Sequence, residues 1–470
     1  MAKQSAAASA STAASTATST ATARFTSPDL GERALHRRAV EAAIWGMPAV
    51  NYLLMYEEMV RKVNGGFNQI LHWSRLLDWR NQTLTPNSDV IYLMPFFNTK
   101  DAGPIVLEVP PADDGLFNGS VMNYWQAAIE DVGPGGVDKG KGGKYVFLPP
   151  GYDAARLPAG HIPLPSDTYQ GYALLRSVLK SGSDDDVATA VAYSKRLKLY
   201  PLSQAADPPL TTFVDASDVV FDSTIPYDLR FFEALDRIVQ AEPWLERDKA
   251  MIDPLKTIGI ERGKPFTPDA RTKAILSAAI EEAHDWLDAR IDTMTPFYDG
   301  QRWFFPATEE VHQSVMSFWR TPDSLPIDSR GMMYTLAFFS AKHIGEAQYY
   351  LMTTRDQDGK PLEGSDNYRL NVPPNVPVTQ YWSMTVYNRA THTFIRNATR
   401  VGRSSQSPGL RTNADGSVSI FFGPSVPAGG ESNWVPTNPE GRFEVLARFY
   451  GPRKPLFDRS WTLTDIERVS

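Results

Sequence analysis

Apolar positions along the chain change their period twice, and those changes outline the fold. Over 35–63, Ala39, Ala42, Ala43, Trp45, Met47, Val50, Tyr52, Leu53 and Met59 recur as on one side of a helix or a broken helical pair, with Pro48 marking the break. Ser27-Pro28-Asp29 supplies the helix start, with acid in its first turn. After Asn64-Gly65-Gly66 the texture becomes short β-type runs punctuated by Gly and Pro, at 90–97, 105–109, 120–127, 144–148 and 171–178. Asn118-Gly119 reads as a hairpin turn. Helical periodicity returns at 226–239, 243–258 and 268–291, and 331–350 reads as a largely apolar helix buried between layers. The last third is β again, at 367–370, 380–387, 417–422 and 442–450, with Asn413-Ala414-Asp415-Gly416 as a turn.

This order predicts a mainly antiparallel α+β protein: two jelly-roll-like β-sandwich domains linked by a helical segment. The divisions fall at 1–26 (a disordered Ala/Ser/Thr tail), 27–220 (helix plus sandwich), 221–355 (helical connection) and 356–470 (C-terminal sandwich). The tail, 5–23, contains only Ala, Ser and Thr. It lacks the apolar stretch of roughly 7–15 residues that an export signal needs, so the chain as written reads as cytoplasmic; a periplasmic or secreted location is the alternative.

Composition narrows the chemistry. The absence of cysteine excludes disulfides, thiolate nucleophiles and Cys-ligated metals. A net charge of −7 argues against a nucleic-acid partner, and no apolar run approaches the ~18 residues of a membrane span. No cofactor is implied, since neither a G-x-G-x-x-G nor a P-loop pattern occurs, and the Gly/Lys stretch 133–143 reads as a loop.

Thr85-Pro86-Asn87-Ser88-Asp89-Val90-Ile91-Tyr92 resembles the "TPN-x-D-x-x-Y" signature of the bacterial family called domain of unknown function 1254. Asp131-Val132-Gly133, 138–145 and Leu148-Pro149-Pro150-Gly151-Tyr152 look like one branch of it. Tyr368, Trp382-Ser383-Met384-Thr385, Tyr387, 413–417, Asn433-Trp434 and Phe449-Tyr450 resemble its usual companion, domain of unknown function 1214. The resemblance spans roughly 40–465 and implies paired sandwich domains with helices between them, often in homo-oligomers and in exported proteins. It implies no mechanism.

Candidate residues gather in the loops and strand ends. Asn87 and Tyr92 can bind a polar substrate at the mouth of a sandwich. In 123–126 strand alternation puts Asn123 and Trp125 on one face and Tyr124 on the other. Asp89 and Asp131 are the acid/base candidates, Arg176 a charge clamp, and Asn433 and Trp434 a C-terminal loop contact beside Gly429-Gly430. Glu281…His284, Glu309…His312 and His343…Glu346 have the spacing of carboxylate–imidazole pairs on a helix, though no metal ligand is assigned among them. The leading expectation is a cofactor-independent hydrolase or lyase acting on a polar or carbohydrate-like small molecule. A non-catalytic ligand-binding or assembly protein is the alternative, and a metal-dependent enzyme using the Glu-x-x-His pairs a third.

Overall fold

The computed structural model describes residues 25–343 and 347–469, so the tail at 5–23 lies outside the described residues. A single helix, Leu30–Val63, opens the fold. Asp29 caps it by accepting the Glu32 N–H at 2.8 Å, and Asn64 closes it in the left-handed conformation. Pro48 does not break this helix, contrary to the expected division. A proline at that position removes the N–H that would bond the Ile44 carbonyl. Tertiary packing holds the helix on both sides of the interruption: Gly331 seats against the Ile44 carbonyl, and the Gln126 amide donates to the Pro48 carbonyl at 2.8 Å.

Helices Leu229–Ala241, Ala270–Ile291 and Ile327–Leu336 pack around the first helix and complete a central helical layer. The stretch expected as one helix over 243–258 is a 3-10 turn, Glu246–Met251, followed by the short helix Ile252–Thr257. The helix expected over 331–350 stops at Leu336; Ala337 turns extended, and Gln348–Thr353 is a strand. Tertiary demand overrides the apolar run there, because Tyr350 and Leu351 pair with Arg448 and Ala447 in a C-terminal sheet.

The N-terminal sheets hold six and four strands. In spatial order the larger runs Phe213–Asp215, Gln69–His72, Val90–Asn98, Gln170–Val178, Phe117–Asn123 and Ala128–Val132. The smaller runs Lys198–Pro201, Ile105–Val109, Gly143–Leu148 and His161–Pro165. Pairing is mostly antiparallel, with parallel pairs at the edges. Leu93, Phe97, Val121, Ala173 and Leu175 turn toward the smaller sheet, whereas Met94, Phe96, Met122, Tyr172 and Leu174 join the cluster of the helical layer. The large sheet is therefore buried on both faces, which is why its central strands are nearly continuous apolar runs. Asn118-Gly119, read as a turn, lies inside a strand; a Cβ on Gly119 would stand 2.0 Å from the Leu174 carbonyl oxygen, so glycine permits this close backbone approach.

The C-terminal domain has two four-stranded sheets. One is ordered Gln348–Thr353, Phe443–Tyr450, Trp382–Asn388, Gly402–Ser404; the other Trp434–Pro436, Val418–Gly423, Asn367–Val372, Glu467–Val469. In Phe443–Tyr450 the odd positions enter the core of that domain, and Leu446 and Tyr450 join the helical-layer cluster. The whole is a mixed α+β protein, mostly antiparallel, with two sheet-rich regions separated by helices.

Two outcomes test this packing. A Cβ on Gly331 would stand 2.9 Å from the Ile44 carbonyl oxygen and 3.3 Å from Leu287, so Gly331→Ala is expected to lower unfolding stability in urea by about 1–3 kcal/mol. Glu242, which accepts the Tyr169 and Gln170 N–H groups at 2.7 and 3.1 Å, has its pKa raised by burial to about 7. A raised carboxyl pKa means that the folded state holds the proton longer than the unfolded chain. The stabilising contribution is full below about 4.5 and is lost as pH climbs to about 7, a change of order 3 kcal/mol. Glu242→Gln is expected to remove that component from the difference in urea midpoints between pH 5 and pH 8.

Candidate active site

Strand alternation delivers a set of polar side chains to the face of the large N-terminal sheet that meets the helical layer. Arg176 lies directly across from Tyr92 on one neighbouring strand and from Asn118 on the other, and Ser120 lies across from Asp131. Arg448, at an even position of Phe443–Tyr450, pairs with Tyr350 on one side and Ser383 on the other. Between these sheets, with Met333, Leu336 and Phe338 as its helical wall, lies a hollow of about 100 Å³. Arg176, Arg448, Tyr92, Tyr350, Ser120, Asp131 and His343 all line it, amid Leu84, Met94, Leu174 and Phe339.

The two arginines have different surroundings. Arg448 donates through Nη2 to the carbonyls of Thr85 at 2.7 Å and Pro86 at 3.1 Å and to the Tyr387 hydroxyl at 2.6 Å, and through Nη1 to Thr385 at 2.9 Å. Arg176 is equally buried, but among the described residues its polar contact is Nε to the Tyr92 hydroxyl at 3.4 Å, and its Nη1 has no hydrogen-bond partner there. Its guanidinium lies over the rings of Tyr92 and Phe339 at 5.3 and 5.4 Å. Among the described residues no carboxylate stands within ion-pair distance of either arginine. A guanidinium does not lose its charge, so Arg176 is a fixed buried cation with a free donor in a mostly apolar chamber.

Asp131 is held from every side. Its Oδ1 accepts from the Ser120 hydroxyl at 2.6 Å and the Lys342 N–H at 2.9 Å; its Oδ2 accepts from the His343 N–H at 2.8 Å and from Nδ1 of the His343 ring at 2.9 Å. Accepting from Nδ1 places the ring hydrogen there and leaves Nε2 with its lone pair free. Glu130, the preceding residue, pairs instead with Lys342 at 2.7 Å. Both acids were expected at a strand end; they lie within the strand Ala128–Val132 and are buried.

The remaining sequence candidates fall elsewhere. Asn87 spans the domains, its amide donating at 3.0 Å to both Tyr381 and Tyr450 while its Oδ1 accepts the Asp89 N–H at 3.0 Å. Asp89 lies outside the lining of the hollow, and burial raises its pKa against the opposing pull of Ser404, Arg448 and Ser383. Asn123 begins a tight turn, with Oδ1 on the Ala127 N–H at 2.9 Å and Nδ2 on Asp167 at 2.7 Å; Gln126 in that turn has φ 57°. The strand therefore ends there, and Tyr124 and Trp125 pack into the helical core on Tyr52 and Trp45. Asn433 ties its loop to Arg411 and Ser419, and the Trp434 indole donates to the Gly423 carbonyl, all within the second C-terminal sheet.

The Gly/Lys loop is pinned by Asp138, which accepts the N–H groups of Gly133 and Gly142 at 2.9 and 3.1 Å. His284 stacks on Tyr227, and His312 stands 3.8 Å from Glu309. Glu346 lies outside the described residues, and among the described ones no three acids or histidines are grouped to hold a metal ion. The sequence marks His343 only by its spacing from Glu346, and Arg448 and Tyr350 are not among the candidates. A faint signal existed, since Glu444 and Arg448 interrupt an otherwise apolar buried strand.

The fold and this hollow define a protein in which two sheet-rich regions enclose a largely apolar chamber lined by Arg176, Arg448, Asp131 and His343. Residues 67–201 match the family described as "Protein of unknown function (DUF1254)" and 347–454 that described as "Protein of unknown function (DUF1214)"; the chain belongs to the proteins that carry these two domains in tandem. Its fold is similar to the crystal structure of the VPA0106 protein from Vibrio parahaemolyticus, at 19% identity over 93% of this chain and 100% of that one, with a TM-score of 0.56. An uncharacterized protein from Burkholderia cenocepacia aligns at 12% identity over 93% of this chain and 95% of that one, with a TM-score of 0.41. No curated protein matches the chain.

Arg448→Met is expected to lower unfolding stability by about 2–4 kcal/mol in urea, because it takes the Arg448 donor from the buried Thr85 carbonyl and leaves the Pro86 carbonyl with the Tyr387 hydroxyl alone. Arg448→Lys should recover only part of that loss, since an ammonium cannot fork across the same acceptors.

Proposed function

We propose that the hollow is the active site of a small-molecule hydrolase or lyase whose substrate carries an anionic group. The observation that carries this reading is the buried Arg176 with its unpartnered Nη1, lining the same chamber as the imidazole that Asp131 orients. A planar carboxylate matches the guanidinium donor geometry and supplies a counter-charge to Arg176, since Asp131 is engaged by Ser120, Lys342 and His343. The apolar walls favour a substrate with a hydrocarbon or ring body beside that group.

In this arrangement His343 is the acid/base. Nε2 takes a proton from water or from a carbon next to the anchored group, and Asp131 stabilises the imidazolium that forms. Asp131 is thus a positioning residue rather than the proton carrier, and Ser120 and the two backbone N–H groups hold it in register. Asp89 supports the chamber from behind, through Asn87.

Small carboxylates, from acetate to benzoate, should raise the melting temperature of the wild-type protein and not of Arg176→Met. Incubation with a metabolite extract, read by mass spectrometry, should reveal a carboxylate consumed by the wild type. His343→Gln should slow that turnover at least about 100-fold with ligand binding retained. Asp89→Asn should stay within about threefold of wild type, because Asp89 is not in the chamber. Full turnover in His343→Gln would overturn the assignment, and carboxylate binding without any turnover would leave a binding protein.

A further inference from the structure

The chamber is small for a substrate of ordinary size. A hollow of about 100 Å³ compares with the about 150 Å³ that encloses one benzene, so it admits a head group and little more. A second, more open basin of about 870 Å³ lies beside it. Phe305, Ala307 and Tyr349 line both spaces, so the two share a wall three side chains wide. Phe297 and Phe457 extend the aromatic surface of the basin outward; Phe457 is 42% exposed, a large apolar group left in solvent on a short helix. Phe297 is stabilised from outside by Arg459, 5.2 Å from its ring centre.

We infer that the basin is a second subsite of the same site, which takes the hydrocarbon tail of an amphipathic carboxylate whose head reaches Arg176 past Ala307. The inference rests on the anion-binding reading of the inner chamber and adds the substrate class: a carboxylate with an extended apolar chain. The walls decide the matter. The inner chamber supplies charge and a proton carrier but little room, and the basin supplies room and aromatic surface, with Phe305 and Tyr349 stacked 4.9 Å apart beside the shared wall. The alkyl chain lies against Phe297, Phe305, Tyr349 and Phe457, while Arg290, Glu309, His312 and Arg459 form much of the polar remainder of the lining.

The test is calorimetric titration of the intact protein with straight-chain carboxylates from acetate to decanoate. Beyond butanoate, affinity should rise roughly threefold per added methylene until the basin is filled. Thr295→Trp, at an exposed position that lines the basin and not the inner chamber, should bind acetate like the wild type and lose the gain with length. Phe457→Ser, at an exposed position that does not threaten folding, should reduce that gain and leave acetate unchanged. Arg176-dependent binding of acetate with no gain along the series overturns the tail subsite while leaving the chamber reading intact. A gain with length that survives both Thr295→Trp and Phe457→Ser overturns it too. If no carboxylate binds, or Arg176→Met binds them equally well, the chamber reading fails and the subsite with it.

Discussion

Arg448 reaches from the C-terminal sheet to the carbonyl oxygens of Thr85 and Pro86, and the closure of the chamber follows from that bridge. Those carbonyls belong to the loop that precedes the strand Val90–Asn98, so one guanidinium joins the two sheet-rich regions in the middle of the molecule. Asn87 reinforces the join by donating to Tyr381 and Tyr450, whose rings stack at 4.4 Å. The neighbouring Tyr387 hydroxyl accepts from Arg448 and so belongs to the same seam. Burying a cation is expensive in itself; the fan of oxygen acceptors offsets that cost only while both halves are in place. The chamber therefore exists as a property of the assembled chain and of neither domain alone.

Against that background the contrast between the two arginines is informative. Arg448 spends its donors on carbonyl and hydroxyl oxygens of the protein, while Arg176 leaves one free. An unpaired buried donor costs roughly 1–3 kcal/mol, and what sets Arg176 apart from Arg330, whose Nε is also unpaired, is that it lines the hollow. Retaining such a donor at the wall of a hollow is the kind of local inconsistency that binding sites carry. The His343 ring, which also lines the hollow, has one nitrogen fixed by Asp131.

How far the sequence could be read depended on whether the information was local. The short, β-rich runs at 90–97, 105–109 and 171–178, punctuated by Gly and Pro, announced strands that the structure contains, because a sheet buried on both faces is written as nearly continuous apolar sequence. Asp131, Tyr92 and Arg176 were legible as polar residues at odds with apolar strands, and all three line the chamber. Asn87 was legible as important, but its role, bonding Tyr381 and Tyr450 nearly 300 residues and more away, had no local trace. Asn123 and Trp125 were assigned faces on the assumption that the strand continued; the left-handed Gln126 ended it, and nothing in the residue type of a glutamine announces that conformation. The helix expected over 331–350 failed for the same reason in reverse: its second half answers to a strand partner at 443–450 that local periodicity cannot see.

The proline in the first helix has a consequence for the shape of the chamber. By withholding one amide hydrogen it leaves a carbonyl at Ile44 against which Gly331 can seat, backbone to backbone. Such a seat works as an index mark between two rods: sliding the second helix by one residue would bring Arg330 or Met332 to the notch, and neither would fit. The segment that follows, from Met333 to Phe339, inherits its position from that mark. The ceiling of the hollow is thus set by a missing hydrogen atom on a helix that does not line it.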